Sequence, residues 1–72
     1  MNKYKLKLVK EIKEYLTFKD KATARQITEH LNNKEGLRLN NGVTVLEIAS
    51  LMRKTKGIKK EKVNKINYYM VV

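Results

Sequence analysis

The chain of 72 residues contains no cysteine, no proline and no tryptophan. Without cysteine there is no disulfide framework and no thiolate metal site. That absence fits a reducing compartment, and the expected location is cytoplasmic. Without proline, no helix is interrupted by a ring that lacks an N–H. No apolar run approaches the ~18 residues of a membrane span. The segment Met1 to Lys7 is basic, but no signal-peptide apolar core follows it. The three glycines, Gly36, Gly42 and Gly57, are isolated, so no glycine-rich phosphate loop exists. Asp20 is the sole aspartate and His30 the sole histidine. No motif pairs two carboxylates, and His30 has no cysteine partner for a metal. The expectation is a protein with no catalytic activity, no cofactor and no metal. A chain this short forms one domain, residues 1–72, burying only about 60% of its unfolded surface.

Positive charge is what the sequence has in excess. Seventeen Lys and Arg stand against seven Asp and Glu, a net charge of +10. Its distribution is uneven. Residues 1–21 carry seven basic and three acidic groups, and residues 22–52 carry three of each. Residues 53–65 carry Arg53, Lys54, Lys56, Lys59, Lys60, Lys62 and Lys65 against Glu61 alone, a net +6 in 13 residues. Solubility gives no reason for such concentration. A polyanionic partner does. Nucleic acid ranks first, because each Lys or Arg that reaches a phosphate releases counterions. An acidic membrane surface ranks second.

Apolar spacing organises the rest. Leu8, Val9, Ile12, Tyr15 and Leu16 recur in steps of three and four, which predicts a helix over residues 5–17. Phe18 is expected to turn into the core from the connection that follows. Thr23 and Gln26 have the spacing of a capping box. Ala24, Ile27 and Leu31 then predict a second helix over 24–32, stopped by Asn32-Asn33 and Gly36. Residues 37–45 permit two readings. Leu37-Arg38-Leu39 and Val43-Thr44-Val45 flanking Asn40-Asn41-Gly42 resemble a hairpin. Thr44 and Glu47 form a second capping box, and Val43 with Ile48 has the spacing of a hydrophobic staple. The second reading is favoured. It places a third helix over 45–55, with Asn41-Gly42 as a turn in the loop before it. Gly57 suits a helix C-terminus. Ile58 to Val63 and Ile66 to Val72 then read as two strands joined through a basic tip. Asn64-Lys65 is a weak turn pair, so the register stays open.

Three helices followed by a basic C-terminal hairpin resemble the winged helix-turn-helix superfamily, an α+β fold. The resemblance covers nearly the whole chain and is one of pattern and order. Thr23-Ala24-Arg25-Gln26-Ile27-Thr28-Glu29-His30-Leu31 resembles that superfamily's second helix, Val43 to Lys54 its recognition helix, and Ile58 to Val72 its wing. The link before the third helix, about eleven residues, exceeds the three or four of the simpler helix-turn-helix. Membership would imply double-stranded DNA binding, with the third helix in the major groove and the wing on the backbone.

On the third helix, Val45, Ile48, Ala49 and Met52 share the inward side, with Leu51 at its edge. Glu47, Ser50 and Lys54 face outward, flanked by Arg53 and Leu46. With Thr44 at the helix start, Glu47, Ser50, Arg53 and Lys54 are the candidate contacts of this helix. Glu47 also has a role as capping residue, and Lys54 as a partner of the helix dipole. The candidate backbone contacts are Lys56, Lys59, Lys60, Lys62 and Lys65, with Arg25 on the second helix. Edge-strand lysines also discourage aggregation, which explains one or two of them but not four in seven positions. Tyr68 and Tyr69 alternate faces, so one is core and the other outward, where it could stack on a base. The expected function is DNA binding by a small transcriptional regulator, monomer or homodimer. Two alternatives stand beside it. One is an RNA- or ribosome-associated basic module. The other is a protein-interaction winged helix whose apolar C-terminal strand pairs with a partner or with itself.

Overall fold

The helical spacing of Leu8, Ile12 and Leu16 produces α1, Lys3–Lys19, which buries all three on one face. The computed structural model describes residues 3–34 and 42–72. Running to Lys19, α1 is longer than its apolar spacing predicts, and this corrects the reading of Phe18. Phe18 lies about 200° around the helix from Leu16. It therefore points away from the core and is 81% exposed. The helix stops at Asp20, whose φ of 69° is left-handed. Aspartate tolerates that region better than most residues.

The second helix, α2, spans Ala24–Asn33 and opens on a complete capping box. The Gln26 amide N–H donates to Thr23 Oγ1 at 3.2 Å, and the Thr23 amide donates to Gln26 Oε1 at 2.9 Å. Ile27 and Leu31 are fully buried. The third helix, α3, spans Val45–Lys54 with Thr44 as its N-cap. Glu47 N–H donates to Thr44 Oγ1, while the Thr44 hydroxyl donates to the Glu47 carboxylate, both at 3.2 Å. This differs from a reciprocal box, because the carboxylate takes the hydroxyl proton instead of the cap's own amide. Val43 and Ile48 are both buried in the core, as a staple requires. Ile48 and Met52 form the inward face of α3, with Leu51 packed beside them. Val45 was expected there and is instead 42% exposed. Val43, outside the helix, stands in the core at this end.

Asn32 holds the entry to α3. Its side-chain amide donates to Val43 O at 3.0 Å, and its Oδ1 accepts from Val43 N–H at 2.8 Å. Both backbone groups of a buried residue are thus paired by one side chain. Gly42 has φ +72°, and a Cβ there would meet Asn32 Oδ1 at 2.8 Å. Glycine is the residue that permits this approach. The alternative hairpin arm at Leu37 to Leu39, the Gly36 stop and Asn41 lie outside the described residues. Its other arm does not form, since helix begins at Val45.

After α3, strands β1 (Ile58–Val63) and β2 (Ile66–Val71) pair antiparallel, from Ile58 opposite Val71 to Val63 opposite Ile66. Asn64 and Lys65 both have positive φ, 50° and 69°. A two-residue turn of that type matches the twist of the strands, and it settles the register. Ala22, between α1 and α2, adds a bridge on the other side of β2. Its amide donates to Tyr69 O at 3.1 Å, and Tyr69 N–H donates to Ala22 O at 2.8 Å. Tyr69 is buried against the helices, while Tyr68 turns to the opposite face under Lys21. Three helices and a C-terminal hairpin make an α+β arrangement consistent with a winged-helix layout.

Replacing Asn32 by Ala strands the Val43 amide and carbonyl. The expected loss is about 1–3 kcal/mol. Urea unfolding should show it, whereas Asn33→Ala, at the exposed helix end, should change little. Equal effects from the two variants would show that the Asn32 bonds contribute nothing.

Candidate nucleic-acid interface

Residues on a helix advance by about 100° each. On α3, Leu46, Ser50 and Arg53 therefore fall in one stripe within about 60° of arc. Leu46 is 83% exposed. A groove of about 310 Å³ separates this stripe from the hairpin. Leu46, Ala49, Ser50 and Arg53 line its α3 wall, and Ile58, Lys60 and Tyr69 line its hairpin wall. A second groove, of about 440 Å³, runs between α1 and α3. Glu47 and Lys54 open onto that one, with Lys5 across from them on α1. Leu46 and Ser50 line both grooves and so form the crest of α3.

The expected outward set of Glu47, Ser50 and Lys54 is thus divided by the structure. Ser50 stays on the crest. Glu47 and Lys54 lean toward α1, and Arg53 leans toward the hairpin. Glu47 is engaged in the cap through Thr44, which also occupies the Thr44 hydroxyl. Leu46, expected to flank the outward face, is instead 83% exposed on the crest. A large apolar residue within a polar face was the signal available in the sequence. Lys5 had no such signal, because its placement beside α3 depends on long-range packing.

Strand alternation sorts the hairpin lysines. Lys60 pairs with Tyr69 and Lys62 with Asn67, so these share the face that Tyr69 turns toward the helices. Lys59, opposite Met70, and Glu61, opposite Tyr68, lie on the other face. Lys56 lies in the turn between α3 and β1, and Lys65 is at the hairpin tip. All of these lysines are exposed. Arg25 is exposed on α2 and lies 3.6 Å from Glu29, one turn along. Among the described residues, Arg53, Lys54, Lys56, Lys59, Lys60, Lys62 and Lys65 take part in no ion pair.

Between α1 and α2 lies a separate acidic centre. Glu11 accepts from Lys34 at 2.9 Å and contacts His30 Nε2 at 3.0 Å. The His30 ring also stacks on Tyr15, centroids 4.2 Å apart. This cluster ties α1 to α2. Burial pushes the Glu11 carboxyl up, but the hydrogen bonds and charges of Lys34 and His30 outweigh burial and hold it below its ordinary value. The same bond to Glu11 raises the Lys34 ammonium. No group of three or more His, Cys, Asp or Glu able to hold a metal occurs among the described residues. No described helix is long and apolar enough to cross a membrane.

No protein-family model, curated protein or solved structure matches the chain.

A depressed carboxyl contributes stability that is complete above its unfolded pKa and lost as pH falls through the folded value. Glu11→Gln should therefore flatten the acid limb of the stability curve below about pH 5. Thermal unfolding across pH checks this. An acid limb unchanged from wild type would show that the Lys34–Glu11–His30 cluster contributes no stability. His30→Gln should leave nucleic-acid affinity within about twofold and introduce no zinc dependence, as expected of a packing residue.

Proposed function

We propose that the protein binds double-stranded DNA, with the crest of α3 in the major groove and the hairpin face that carries Lys60 and Lys62 against the phosphate backbone. The observation that carries this reading is the shared groove between them. It brings Arg53 of α3 and Lys60 of β1 onto one surface, with Lys62 further along the same strand face. No acidic residue lines it among the described residues. Two elements of different shape presenting unpaired cations to one side suit a polyanion with a groove and a ridge. In this reading Lys60, Lys62 and Lys65 contact phosphates, and Ser50 and Arg53 reach base edges. Regulation of transcription is the simplest use of such a module.

The protein-interaction reading draws on the α1–α3 groove, whose walls include Leu8, Val43 and Leu51. Its other support weakens, because β2 is flanked by β1 along its length and bridged by Ala22 at Tyr69. That leaves the C-terminal strand without an uninterrupted free edge.

Titrating duplex DNA at several salt concentrations tests the proposal. With roughly 4–6 phosphates neutralised, log affinity should fall with log salt at a slope of about −4 to −5. Changing Lys60 and Lys62 together to Glu should weaken all duplexes by similar factors and make the slope shallower. Arg53→Ala should instead cost about 1–3 kcal/mol at a preferred sequence and little at a random one. Binding that ignores salt, or structured RNA bound in preference to duplex DNA, would overturn the reading.

A further inference from the structure

The Leu46 side chain has no role in the fold. It is 83% exposed, while Ile48, Met52 and Leu51 provide the packing of α3. It is also far from the hairpin tip and α1 lysines in chemistry: it offers neither charge nor hydrogen bond. Yet it stands on the crest, in the stripe that continues through Ser50 to Arg53. An apolar side chain at the leading edge of a helix in the major groove has one base feature to recognise, the thymine methyl group. Arg53, at the other end of the stripe, has the guanine O6 and N7 acceptors.

Resting on the DNA-binding reading above, we infer that Leu46 is a specificity-determining residue that packs on a thymine methyl. The same geometry sets the spacing of the site. Leu46 and Arg53 are seven positions apart, about 10 Å along a helix at 1.5 Å per residue. Successive base pairs rise about 3.4 Å. The major groove runs obliquely to the duplex axis, so the preferred sequence holds a thymine and a guanine at most about three steps apart, read by Leu46 and Arg53. Ser50 lies between them and tolerates several bases. Leu46 also lines the groove with Arg53 and Lys60, so the thymine contact and the backbone contact of the hairpin occur on one docked surface.

The test starts with selection of preferred duplexes from a random pool by the wild-type protein. Enrichment of a thymine and a guanine within that separation is expected. The thymine is then replaced by deoxyuridine, which removes only the methyl group. Wild type should lose about fourfold in affinity, the effect of one buried methyl. Leu46→Ala should bind the thymine duplex about as weakly as wild type binds the deoxyuridine duplex, and should not distinguish the two. Leu46→Met, which keeps an apolar contact, should retain a preference for thymine. Circular dichroism and thermal unfolding should match wild type, because the side chain is outside the core. If Leu46→Ala keeps full discrimination between thymine and deoxyuridine, the inference fails while DNA binding stands. Duplex binding with no enriched sequence overturns it in the same way. Failure to bind any duplex overturns the DNA-binding reading itself, and the inference with it.

Discussion

Two hydrogen bonds between Ala22 and Tyr69 decide where the hairpin stands. An isolated two-stranded hairpin is marginal in water. Here the connection between α1 and α2 pairs with β2, and Tyr69 is drawn into the helical core at the same point. Alternation along the strands then follows without further instruction. Once Tyr69 faces inward, its cross-strand neighbour Lys60 must lie on the same side, and Lys59 on the other. The groove beside α3 is a consequence of that single anchor.

Charge is segregated by the same architecture. Glu11 is paired with Lys34 and His30 on the α1–α2 side, and Glu29 with Arg25. Glu47 is turned into the cap of α3. Glu11 and Glu29 are thereby engaged away from the cations of residues 53–65. Among the described residues, no ion pair engages the seven cations of residues 53–65.

Much of the architecture was legible in the residues. Three helices and a hairpin follow from apolar spacing, the Thr23 and Thr44 caps, and the β-branched run after Gly57. What was not legible depended on contacts between distant segments. The Ala22 bridge has no local signature, since one residue between Lys21 and Thr23 carries no strand pattern. The Asn32 pairing with Val43 looked like a helix stop, because only the folded loop brings the two together. Phe18 differs from expectation because α1 continues two residues past 17, which turns Phe18 to solvent. At the site, the candidate lysines were visible as a cluster, but their division into two faces required the strand register. That register rested on Asn64-Lys65, a turn in which Lys65 adopts a left-handed conformation that its residue type disfavours.

This turn carries a further consequence. Lys65 occupies a left-handed backbone position, which disfavours a side-chain-bearing residue by about 1–2 kcal/mol. Glycine would relax the bend, yet it would also remove the outermost cation of the hairpin. At this one position local comfort and electrostatic reach are in direct opposition. A less strained hairpin is therefore accessible to the chain by one substitution, and it would come with a blunter, less positive tip.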